Sequence, residues 1–91
     1  MLKIRTVCGN GIGSSLFCAA KVKKICAELN IEADIESVDF STAPSQNADL
    51  YITVKELAKQ FDPKYKVAII RSYTNENKLK EDLIDTLKSL V

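Results

Sequence analysis

The hydrophobic period of the chain changes abruptly across its glycines. Lys3 to Val7 alternates weakly and ends in β-formers, and Gly9, Gly11 and Gly13 then break the run. From Ser14 onward Cys18, Val22, Ile25, Cys26 and Leu29 recur at helical spacing, with Lys21, Lys23, Lys24 and Glu28 on much of the other side. A strand that turns straight into an amphipathic helix has few folds open to it. The helix must pack back on the sheet that holds the strand, and the next strand then runs parallel to the first.

The remaining segments fit that scheme. Asn30 ends the helix, and residues 33–38 form a second strand exposed on one face, as an edge strand would be. Residues 39–47 are rich in turn formers and read as a loop within one domain. Asp49 to Thr53 reads as a third strand, and Lys55 to Phe61 as a short helix before an Asp62-Pro63 turn. The continuous run from Val67 to Ile70 predicts a parallel strand covered on both faces. Leu79, Leu83, Ile84, Leu87 and Leu90 close the chain as an amphipathic helix starting at Asn75 or Glu76. The expected fold class is α/β, an open four-stranded parallel sheet flanked by three helices. A flavodoxin-like or phosphatase-like order 2-1-3-4 makes the first strand central, with its Cys8 end at the switch point where ligands bind.

Length and charge narrow the function classes. At 91 residues the chain suits one domain, residues 1–91. Lys and Arg number 13 against 12 Asp and Glu, so no strong global field draws nucleic acid or an anionic membrane, and anion specificity must be local. Apolar runs are too short to span a membrane, and the Met1 end lacks the apolar core of a signal peptide, so a cytoplasmic protein that is not membrane-inserted is expected. Three cysteines without CxxC spacing fit a reducing compartment, and Cys18 and Cys26 fall on the apolar face of the helix as core residues. The chain has no histidine. A Cys/His dyad, a Ser/His/Asp triad and any zinc site that needs imidazole are therefore excluded for this chain alone, and neither metal nor cofactor is expected.

The chemistry concentrates in Cys8-Gly9-Asn10-Gly11-Ile12-Gly13-Ser14-Ser15. Glycines let several backbone N–H groups converge, and the helix start adds its positive dipole end, so a phosphate fits within reach of the thiol. Known phosphate loops differ at identifiable positions. A dinucleotide fingerprint needs a second mononucleotide half and an acidic ribose partner, for which Asp39 is the candidate. A Walker A loop needs a Lys after its glycines, and none is present. Cysteine phosphatases clamp phosphate with an Arg six positions beyond the Cys, where this chain has Ser14. Their Asp-Pro general acid has an echo in Asp62-Pro63, but that pair precedes the last strand and belongs to the opposite edge of a parallel sheet.

The same segment, followed by a helix with Lys21-Val22, resembles the phosphorylation loop of the cytoplasmic B component (IIB) of sugar phosphotransferase systems. It is most like the ascorbate type, with its CGNGxGSS form. Galactitol-type loops share the Cys-Gly-x-Gly start, and lactose-type loops fit less well. The resemblance implies that Cys8 takes phosphoryl from a phosphohistidine of the IIA component and passes it to sugar bound by the membrane IIC component. It further implies that the N–H groups of Asn10 to Ser15 and the hydroxyls of Ser14 and Ser15 hold the phosphoryl oxygens, each well-aimed donor contributing on the order of 3 kcal/mol to the transition state. The expected phosphate-binding set is Gly9, Asn10, Gly11, Ile12, Gly13, Ser14 and Ser15, with Ser14 also able to cap the helix. Arg71, at the end of the last strand on the same sheet edge, is a candidate auxiliary cation, and Ser72, Tyr73 and Thr74 share that edge. A phosphatase-like hydrolase and a non-catalytic regulatory anion-binding module are the alternatives.

Overall fold

A computed structural model of the chain describes residues 2–8 and 13–90, the side chains of 13–15 excepted. The elements run β1 (Leu2–Cys8), α1 (Gly13–Glu28), β2 (Ala33–Asp39), a 3-10 turn (Ala43–Gln46), β3 (Leu50–Thr53), α2 (Lys55–Ala58), β4 (Val67–Ile69) and α3 (Glu76–Ser89). All strand pairs are parallel, in the order β2-β1-β3-β4. The expected four-stranded α/β sheet with three helices, and its order, are therefore observed. Parallel pairing brings the carboxyl ends of all four strands to one edge, and Cys8, Asp39, Thr53 and Ile69 end there.

Alternation along β1 divides the core. Ile4 faces the helices, where it joins Cys18, Val22, Ile25 and Cys26 of α1 and Leu79, Leu83 and Leu87 of α3. The two helices are laced by Lys21 and Lys24 to Glu76 (3.3 and 3.2 Å) and by Lys80 to Glu28 (3.5 Å). Such exposed pairs contribute up to about 1 kcal/mol each, so the aliphatic contacts carry this layer. Val7 faces the other way and packs with Ala43 and Tyr51, around which Phe40, Phe61 and Tyr65 gather.

Helix ends follow the local sequence. Asn30 takes a left-handed conformation (φ 59°) beyond α1, with Ile31 N–H bonded to Cys26 O at 2.8 Å and Asn30 N–H to Ala27 O at 3.2 Å. This is a Schellman closure, which Asn tolerates better than most residues. Asn75 caps α3, its side chain accepting from Lys78 N–H at 3.1 Å.

Three details depart from the sequence reading. β4 is an edge strand only three residues long, and Ile69 is 54% exposed, so the apolar run is not covered on both faces. An order that ends in β4 leaves it one strand neighbour. The loop at 39–47 contains the 3-10 turn, and the helix at 55–61 stops at Ala58, continuing as single turns through Phe61.

Tyr51 ties the 3-10 segment to the sheet. Its buried hydroxyl donates to Ala43 O at 2.7 Å and accepts from Ala48 N–H at 3.3 Å. Tyr51→Phe retains the ring and strips both bonds, so urea unfolding should show a loss of about 1–3 kcal/mol with an unchanged m-value. A loss under about 0.5 kcal/mol would show that water takes over both partners.

Candidate functional site

Cys8 is the last residue of the central strand and is nearly buried, at 7% exposure. Both carbonyls that flank it are held. The Cys8 carbonyl accepts from Phe40 N–H at 2.9 Å on the β2 side. On the β3 side the Val7 carbonyl accepts from two hydroxyls, Thr53 Oγ1 at 3.0 Å and Tyr73 at 2.6 Å, which lie 3.3 Å from each other. The strand register places Asp39 opposite Cys8.

Gly9, Asn10, Gly11 and Ile12 lie outside the described residues. Gly13, Ser14 and Ser15 form the first turn of α1, which sets Ser14 one residue inside the helix. The leading N–H groups of a helix have no partner within it, so this turn presents donors and a positive dipole end. The chain leaves β1 at Cys8 and has re-entered a helix by Gly13, so thiol and helix start are separated by four residues only. Leu16 and Phe17, next along α1, are exposed, at 58% and 48%.

Cys18 and Cys26 sit in the core, as their spacing implies. Burial pushes the Cys18 thiol up to about 12 and raises Cys26 as well. Both therefore remain protonated thiols through the ordinary range.

Arg71 stands at the carboxyl edge, just past β4, with its guanidinium tied to α3. Its Nε lies 3.0 Å from Asp82 Oδ1, its Nη2 3.0 Å from the same oxygen and 3.6 Å from Glu81, and its backbone N–H donates to Asp82 at 3.1 Å. Burial opposes charge on Asp82, and the Arg71 bonds outweigh it, holding the carboxylate below its usual range. The hydrogen bond that Arg71 donates to Asp82 in turn raises Arg71. Lys21 and Lys24 are committed to Glu76.

Asp62 belongs to a turn, as expected. Its carboxylate accepts from Lys64 N–H at 3.0 Å ahead of β4, at the edge remote from Cys8. It is not available there as an acid for Cys8 chemistry. An open depression of about 330 Å³ also lies at that remote edge, between the end of α1 and the start of β2, with Cys26, Ile31 and Ile35 in its wall.

A profile of the family described as "PTS system, Lactose/Cellobiose specific IIB subunit" matches residues 3–84. The chain belongs to the PTS IIB family. It is thus a sugar phosphocarrier subunit and a phosphotransferase. Over 90 residues this IIB chain is 32% identical to the "Ascorbate-specific PTS system EIIB component" of Mycoplasma pneumoniae (strain ATCC 29342 / M129 / Subtype 1), covering 94% of this chain and 95% of that protein. Membership implies interaction with other PTS components. Among the described residues, no helix of this IIB chain is long and apolar enough to cross a membrane.

Sequence reading of the site overlooked Thr53. The signal was a polar β-former closing the third strand at the Cys8 edge, where an apolar residue would serve a core strand equally well. The sequence places Tyr73 at that edge and assigns it no contact.

The burial of the helical cysteines has a direct test. In the native IIB subunit at pH 8, iodoacetamide should leave Cys18 unmodified and should label it once urea unfolds the chain. Labelling of native Cys18 at the unfolded rate, read by peptide mass spectrometry, would contradict its packing.

Proposed function

We propose that this IIB subunit is the phosphocysteine carrier of an ascorbate-type sugar phosphotransferase system, working in the cytoplasm as one domain over residues 1–91. Cys8 is the phosphoryl acceptor in this reading, and Gly9 to Ser15 form the cradle. The observation that carries it is the position of a thiol on the last residue of the central parallel strand, at the switch-point edge, with a helix starting after only four further residues. The ascorbate assignment is supported by the name of the Mycoplasma relative and by the CGNGxGSS form of the loop.

Two in-line displacements make up the cycle. In the first, Cys8 Sγ attacks phosphorus on the phosphohistidine of IIA, the S–P bond forms, the N–P bond breaks and imidazole leaves. In the second, a hydroxyl of the sugar held by IIC attacks the same phosphorus, the S–P bond breaks and the thiolate is restored. The chain has no histidine, consistent with a donor that brings its own and an acceptor site that takes the hydroxyl proton. Loop and helix N–H groups would bind the three equatorial oxygens as charge spreads over them, a task that needs positioning more than covalent chemistry. Arg71 is the auxiliary cation of this proposal, with Asp82 and Glu81 fixing where it stands.

Relay without hydrolysis fits the same residues. Hydrolysis requires a positioned, activated water, and the one Asp-Pro pair reminiscent of phosphatases is bound into its own turn. Incubation with phosphorylated IIA should therefore add one phosphate to the chain, labile to acid and base as a thiophosphate, and Cys8→Ser should abolish it. A label on Ser14 or Ser15 in the wild type would defeat the assignment. Continuous release of inorganic phosphate without sugar and IIC would favour the hydrolase.

A further inference from the structure

β1 and β3 part company just before Cys8. Their ladder runs Ile4↔Leu50, Arg5↔Tyr51, Thr6↔Ile52 and ends there, whereas β1 stays paired with β2 to Cys8↔Asp39 and β3 stays paired with β4 to Thr53↔Ile69. The sheet therefore opens at one seam, between the two central strands. This seam is the switch point of a 2-1-3-4 sheet. The Val7 carbonyl faces into it without a strand partner.

The Tyr73 hydroxyl fills that position. It donates to Val7 O at 2.6 Å, the shorter of the two bonds to that oxygen, and the Val54 backbone amide acts on the phenol oxygen from the β3 side. A side chain thus bridges β1 to the end of β3 where backbone pairing has stopped. Thr53, fully buried, donates to the same carbonyl and contacts the Tyr73 hydroxyl. One donor suffices to satisfy a buried carbonyl, and Thr53 alone would do so. The second comes from a loop 66 residues away in sequence and requires a half-buried tyrosine to be ordered against the core. Such redundancy is what fixing a peptide plane requires, because two donors in different directions restrain rotation as well as distance.

The plane so fixed joins Val7 to Cys8, and Phe40 N–H holds the next carbonyl from the opposite side. Between them the direction in which the Cys8 Cα–Cβ bond leaves the strand is set. Burial raises the Tyr73 phenol and negative charge on Cys8 raises it further, against the lowering contacts from Thr53 and Val54, so the hydroxyl keeps its proton and remains a donor when Cys8 is charged. We propose that Tyr73 is a positioning residue for phosphoryl transfer in this subunit, its hydroxyl wedged between the diverging ends of β1 and β3 and, with Thr53, aiming the Cys8 thiol through the Val7 carbonyl. The proposal rests on the reading of Cys8 as the phosphoryl acceptor. In-line displacement is sensitive to aim, and a misplacement near 1 Å costs on the order of a hundredfold in rate.

Tyr73→Phe keeps the ring in the core and removes the wedge. With phosphorylated IIA as donor, single-turnover labelling of Cys8 should slow by about tenfold or more at saturating donor, while half-saturation stays within about twofold, because aim and not docking is lost. Circular dichroism should show the variant folded at the assay temperature. Thr53→Val, which removes the other donor, should slow labelling in the same sense and supplies the test if Tyr73→Phe does not fold. Wild-type labelling rates in the folded variants would overturn the proposal, as would a slowing that disappears when the assay is cooled to where the variant is fully folded. Wild-type protein labelled elsewhere than Cys8 would overturn the reading of Cys8 itself, a result distinct from a Cys8 label that forms at equal rates with and without the Tyr73 hydroxyl.

Discussion

The central strand β1 is held unequally by its two neighbours, and the shape of the carboxyl edge follows from that asymmetry. Pairing with β2 continues to the last residue, Cys8 against Asp39, while pairing with β3 stops at Thr6 against Ile52. A strand released from both sides would fray, and one held on both sides would leave no opening. β1 does neither. Backbone bonds anchor its β2 flank, and beyond the ladder side-chain hydroxyls take over on the β3 flank. The crossing of the chain from β2 to β3 over β1 is what makes this seam the meeting point of oppositely directed connections, where a ligand can enter without displacing a crossover.

The two faces of the sheet support the edge by different means. On one, α1 and α3 bury an aliphatic layer from Ile4 to Leu87, and burial of each large side chain contributes roughly 1.5–3 kcal/mol. On the other, no long helix packs among the described residues, and an aromatic group around Tyr51 together with the 3-10 segment covers Val7. Arg5 extends that cover although it is charged. The residue is 3% exposed, and its guanidinium donates to the carbonyls of Ile4 and Asp34, to Gln46 and to the Asp34 carboxylate, and pairs with Glu36 at 3.4 Å. With so many acceptors the buried cation is fully satisfied, which is the condition under which such burial is tolerated.

Periodic segments of this fold were legible in the sequence, and aperiodic ones were not. The stripes of α1 and α3 gave their helices, buried faces and core cysteines, because a 3.6-residue repeat over several turns has one geometric solution. The change of period at the glycines led to strand, turn and helix, and hence to Cys8 at the carboxyl edge of the sheet. The run Val67 to Ile70 misled on exposure because composition reports which residues could be buried and not how many neighbours a strand has; as an edge strand, β4 leaves Ile69 in solvent. Arg5 was invisible for the opposite reason, since its burial depends on acceptors contributed by β2 and the 3-10 segment, up to 41 residues away in sequence. The pairing of Thr53 and Tyr73 on one carbonyl has the same character. Neither residue carries a motif, and only the order of the strands brings them together.

A carrier and a hydrolase can share a thiol at a strand end, so the distinction must lie in what surrounds it. A hydrolase needs a proton donor for its leaving group and a base for water, both placed in its own chain. Here histidine is missing from the chain, and the Asp62 carboxylate is bound to a backbone N–H at the far edge. What the chain does supply is stiffness: core side chains beneath the helix that follows Cys8, and fixed carbonyls on both sides of it. In the proposed relay these are the properties that matter, since donor and acceptor groups arrive on other proteins and the subunit has to present the same sulfur, in the same direction, to each in turn. Rigidity toward two different partners costs nothing in either step when the chemistry of leaving and attacking groups is carried by the partners themselves.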